Sequence, residues 1–183
     1  MKHSLVVPVM VKQIASDDSG LALIEFAFTV PILLALLVGG SQLTNAIAAQ
    51  RKVTTTTRAL ADLTTQYTSV SNDDLDQILA ASQKVMAPYD VSNAQLLISE
   101  VYTDKNGSSK VVWSRPLNGG SLPIGSDFTV PATIKQNNTS LIVASVNFTY
   151  TLSMGSPILG TIPMKDVIIM SPRGSPDIPM KTQ

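Results

Sequence analysis

One carboxylate, Glu25, stands inside an apolar run, LALIEFAFTVPILLALLV, that occupies residues 21–38. An ionisable side chain in hydrocarbon costs about 2.5–3.5 kcal/mol even on insertion scales, so it needs a partner or a purpose. Gly20 lies five residues ahead of it, at the edge of the run, and Phe26 follows it directly. Elsewhere the means for chemistry are thin. Asp73, Asp74 and Asp76 form an acidic group, but no glycine-centred loop and no distal bidentate glutamate follow, as a calcium loop would require. A helix N-terminus, which favours carboxylates, accounts for them. The single histidine is His3, and there is no cysteine. Thiolate nucleophiles, disulfides and cysteine-based metal centres are therefore excluded. The serines lack a G-x-S-x-G elbow and a histidine base, and no phosphate-binding glycine loop occurs. The expectation is a protein that is not an enzyme, with no catalytic, cofactor or metal site.

Composition narrows the partners. Thirteen basic residues balance thirteen acidic ones, and only 14% of the chain is charged. Such a chain has no electrostatic footprint for nucleic acid. The apolar run, extended by Gly39 and Gly40, supplies the roughly 20 residues that cross a bilayer, so residues 21–40 read as a transmembrane helix. Residues 1–20 before it read as a leader peptide. Residues 41–68 keep a loose helical period, with Leu43 and Ile47 on one stripe and Val53, Leu60, Leu63 and Tyr67 on another, and read as a stalk. The run Thr54, Thr55, Thr56, Thr57 predicts a kink or frayed turn, because β-branched side chains lose rotamer freedom in a helix.

Ser71 opens the next element, with acidic residues in the first turn, Lys84 at the end and Pro88 beyond, the pattern of a capped amphipathic helix. From Gln95 the period becomes two. Residues 95–103 and 110–114 predict strands joined through Asp104-Lys105-Asn106-Gly107, where Asn-Gly signals a tight hairpin turn with two positive φ angles. Residues 141–152 and 165–170 predict two more strands. Trp113 on its short strand reads as core, and Arg173 as a solvated charge. The fold expected is α+β: a transmembrane and stalk helix, then a short helix packed on one face of an antiparallel sheet of about four strands. The head covers residues 69–170, and the Pro-rich residues 171–183 read as a disordered tail.

The sequence around Glu25 resembles the type IV prepilin cleavage motif, in which a membrane peptidase cuts after the glycine and the glutamate becomes the fifth residue of the mature chain. GLALIEFAFTVPILLALLVGG, with Pro31 in mid-span, the stalk RKVTTTTRALADLTTQ, the helix DLDQILAASQKVMAPY and a last strand ending MSPR are similar to TadE-like proteins, the pseudopilins of the Tad (Flp) pilus system. The resemblance implies cleavage between Gly20 and Leu21. It also implies that Glu25 and Phe26 serve subunit register and assembly, the glutamate pairing with the new amine of a neighbouring pilin. Its implied partners are other pilins and pseudopilins, the prepilin peptidase, the pilus assembly platform and the membrane. The implied place is the bacterial cytoplasmic membrane, crossed once, with the head in the periplasm or in an extracellular pilus that serves adhesion and surface attachment. Against the motif, Asp17 and Asp18 precede Gly20, where family leaders are basic. The cations Lys2 and Lys12 before the span and Arg51, Lys52 and Arg58 after it leave orientation open on charge alone. Two alternatives stay open. One is an unprocessed, membrane-tethered module that binds an extracytoplasmic ligand; the other is cleavage after the A-x-A triplet Ala46-Ile47-Ala48, releasing a soluble domain.

Overall fold

A computed structural model describes residues 19–152 and 160–181; the expected leader, apart from Ser19 and Gly20, lies outside the described residues. The chain divides into two compact units, one ending at Leu43 and the other beginning at Thr44. In the first unit, helix α1 (Ser19–Thr65) begins, and it carries Pro31 in its interior. Leu, Ala, Ile and Phe dominate this part, and nearly every side chain from Leu21 to Leu43 is exposed.

The second unit holds the rest of α1, the short helix α2 (Asn72–Lys84) and four strands, β1 (Gln95–Thr103), β2 (Ser109–Leu117), β3 (Thr139–Thr151) and β4 (Thr161–Met170). The expected stalk thus stops three residues early, at Thr65. No break occurs at the threonine run. Thr55 and Thr57 donate their hydroxyls to the carbonyls of Arg51 and Val53, four residues back, at 2.8 and 2.9 Å. That bond satisfies the hydroxyl of Thr57, which is buried within the helix's packed face. The buried stripe also differs from the expected one. Ala46, Ala49, Val53, Leu60, Ala61 and Thr64 face the core, while Ile47, Leu63 and Tyr67 are exposed. Small side chains let the helix approach closely, and a search for large apolar residues overlooks them.

Helix α2 begins as its sequence demands. The Ser71 hydroxyl accepts from the Asp74 amide at 3.1 Å, and the Asp74 carboxylate accepts from the Ser71 amide at 2.9 Å, a reciprocal capping box. Leu75, Ile78 and Leu79 then share its buried face.

The sheet is wholly antiparallel in the order β2-β1-β3-β4. The turn between β1 and β2 is not the expected two-residue type. Gly107 alone has a positive φ, 80°, and its amide bonds the Asp104 carbonyl at 3.1 Å. The Asp104 carboxylate meanwhile accepts from the amides of Asn106 and Ser108, so aspartate holds the turn and only the glycine needs left-handed backbone. Strands β2 and β4 both run longer than periodicity indicated.

One sheet face, bearing Leu96, Ile98, Ile142, Ala144, Val146 and Phe148, packs with the helices into the main core. The expectation of a single covered face is corrected, because a second cluster fills the other side. There Val101, Val111, Leu141 and Val143 lie under Val130, Leu122 and Phe128 from the long β2–β3 connection. The tail is corrected too. Residues 173–181 run back along the head: the Arg173 amide bonds the Thr65 carbonyl at 2.9 Å, and Val70 pairs with Met180 in parallel. Ile178 is 0% exposed. Its apolar side chain, set among prolines that hide any period, gives this strap its hold on the core. Arg173 is not a lone charge either, since it pairs with Asp62 at 2.7 Å.

Candidate functional site in the N-terminal helix

The four residues singled out around the apolar edge all lie in α1. Leu21 and Glu25 are one helical turn apart and so share a face. Leu21 is 59% and Phe26 67% exposed, and Glu25 is exposed as well. The Glu25 side chain has no hydrogen bond or ion pair among the described residues. Gly20 is equally unconstrained. A Cβ built there meets nothing within 4 Å, and its φ is not in the left-handed region. This fold therefore requires neither a glycine at 20 nor a carboxylate at 25.

The helix that holds them is long and apolar enough to cross a membrane, the one such helix among the described residues. At about 1.5 Å rise per residue, residues 21–40 span roughly 30 Å, the thickness of a bilayer's hydrocarbon. Pro31 leaves one backbone carbonyl unpaired, which spanning helices tolerate because neighbouring helices and local adjustments re-satisfy it.

Two of the three clustered aspartates, Asp74 and Asp76, have structural partners. Asp74 is held below its ordinary value by the Ser71 amide and hydroxyl. Asp76 is held low by a two-pronged bond from Arg115, at 2.7 and 2.8 Å. No group of three metal-binding side chains occurs among the described residues.

One buried ionisable residue escaped sequence reasoning. Glu100 in β1 is 1% exposed, and burial raises its carboxyl above the ordinary value. Its Oε1 accepts from the Ile178 amide at 3.0 Å, while the Trp113 indole donates to the Ile178 carbonyl at 2.8 Å. The two side chains grip both polar groups of one strap residue. The signal was present: period two puts Glu100 on the face of Leu96 and Ile98, where a carboxylate must have a buried partner. That the partner sits 78 residues further on was not readable.

Comparison with known proteins bears on the N-terminal segment. No curated protein and no solved structure gives a significant match. The family model described as TadE-like protein matches residues 20–62, the stretch that opens at the unconstrained glycine and contains the exposed span and its carboxylate. Over those residues, fewer than a quarter of its length, the chain is similar to TadE-like proteins.

Proposed function

We propose that this chain is a minor pilin or pseudopilin that supports assembly or initiation of a Tad/Flp pilus, after a prepilin peptidase has cut between Gly20 and Leu21. One observation carries the reading: a TadE-like segment opens with a glycine and a carboxylate for which the fold itself has no use. A missing Cβ at Gly20 lets a protease approach the backbone closely. An unpartnered Glu25 on an apolar helix is suited to meet a cationic amine on a neighbouring pilin. Such a buried ion pair contributes little net stability but fixes register. The pilus platform and other pilins are then its partners, and the head faces away from the cytoplasm. Burial of Ala46 and Ala49 in the head core argues against release after Ala48, which would strip Ala46 from that core.

Two measurements on the same cells test this. Intact mass with and without the prepilin peptidase should show loss of residues 1–20, abolished by Gly20→Val. Glu25→Ala should leave cleavage and insertion intact yet abolish piliation. Normal piliation in Glu25→Ala would reject the register role. Normal piliation after deletion of the gene would reject the pilus assignment and favour a tethered binding module.

A further inference from the structure

In the second unit, α1 exposes Arg51 and Arg58, seven residues apart and therefore on one face, about 10.5 Å apart along the axis. Neither has an ion-pair partner among the described residues. Beside this face runs a groove of about 600 Å³, walled by Thr55, Arg58 and Ala59 on the helix, by Ile168 and Met170 on β4, and by Arg173 of the strap. Ile168 and Met170 are half-buried, whereas Ile142, Ala144, Val146 and Phe148 on the same sheet face are buried. The helical layer is thus incomplete over the C-terminal half of β4. Arg58 and Arg173 line the gap together with Asp62, which Arg173 already occupies, and Arg51 continues the exposed helix face beyond it.

We propose that this groove docks an amphipathic helix of another protein, one that carries carboxylates seven residues apart beside an apolar stripe. The apolar floor takes the stripe, and a helix laid along α1 in the packing class that crosses at about 20° keeps its carboxylates at the seven-residue spacing of the rim. A docked strand fits less well. Although β4 pairs only with β3 among the described residues, it carries Pro163, Lys165 and Asp166, residues that protect an edge from strand addition. The opposite edge is already covered, by bonds from residues 125–128 to Ser109 and Val111 of β2. The inference concerns the head alone and does not depend on cleavage at Gly20.

The test uses the full chain in detergent and two synthetic helical peptides with the same leucine stripe, one with glutamates at positions i and i+7 and one with lysines there. The glutamate peptide should bind roughly tenfold tighter than the lysine peptide, and more so at low salt, as rim charges act. Arg51→Glu with Arg58→Glu should invert that preference, and Met170→Asp should weaken both peptides. Ile124→Asp, an exposed position on the connecting loop, should change neither. Arg58→Gln, the milder change, should lower the preference without inverting it if the double reversal unfolds the head by circular dichroism. Absence of preference, or a preference indifferent to these changes, would overturn the proposal. Because the chain has no cysteine, Thr55→Cys locates the occupant. A disulfide to a cysteine in the glutamate peptide supports the proposal. Disulfide-linked copies of the chain without peptide would instead assign the groove to a second copy, and protection of Thr55→Cys from maleimide by anionic phospholipid vesicles would assign it to a membrane surface.

Discussion

Helix α1 obeys two different rules along its length. Before residue 44 its large apolar side chains are exposed; beyond it, Ala46, Ala49, Thr56, Thr57 and Thr64 are buried while Arg51 and Arg58 are exposed. Hydrophobicity alone would rank the first part as core and the second as surface. The packing reverses that ranking. Large exposed apolar area indicates a surrounding other than water, whereas small residues at helical spacing indicate contact with the chain's own sheet.

The contrast breaks most sharply if equal truncations behave alike in the two regions. Phe148→Ala, in the buried face of β3, should cost the head roughly 3–5 kcal/mol. Phe26→Ala, at an exposed position, should stay within about 0.5 kcal/mol. Thermal unfolding of the full chain in detergent, followed by the fluorescence of Trp113, measures both. Equal losses would mean that the first region has a core role after all.

A smaller effect separates the strap from a disordered tail. Ile178→Ala should destabilise the head by about 2–4 kcal/mol, within the range for emptying a buried aliphatic site, and should shift Trp113 emission to the red as water reaches the indole. An unchanged spectrum and melting temperature would return residues 171–181 to solvent.

The smallest effect is a pH slope. Glu100 has its folded-state pKa raised above the ordinary 4.5. The folded chain therefore holds the extra proton, and its contribution is full below 4.5 and lost as pH rises through the raised value. Asp74 and Asp76 act in the opposite sense: their folded pKa values lie below the ordinary 3.8, so their contribution is present above 3.8 and fades as pH falls through the lowered values. Melting temperature should therefore decline on both sides of mildly acidic pH. Glu100→Gln should flatten the upper limb and leave the acid limb in place. An upper limb as steep in Glu100→Gln as in the wild type would remove Glu100 as its source.

Local rules were legible wherever a residue answers to its neighbours in sequence. Ser71 and Asp74 cap a helix within four residues, and the alternation of Ile142, Ala144, Val146 and Phe148 names a buried face without a partner in view. The candidate residues Gly20 and Glu25 drew notice for a related reason, since a glycine and a charge against an apolar background stand out by type. What stayed hidden depends on distant contacts. Glu100 drew no notice because its acceptor role needs Ile178, and the second core face was not expected because Val130 and Phe128 lie in a segment with no period. The turn at Gly107 was placed correctly but given the wrong geometry, because Asp104 supplies the bonds that a second positive φ would otherwise have made possible.

The strap fastens at separated points: to the end of α1 at Thr65, to Val70 beyond it, and to β1 and β2 through Glu100 and Trp113. For a protein under tension this is a cross-brace. A pull that peels the end of α1 from the sheet must load the Arg173, Val70 and Ile178 attachments together rather than one after another. Resistance then depends on their sum, and cutting any one of them would let the others fail in sequence at lower force.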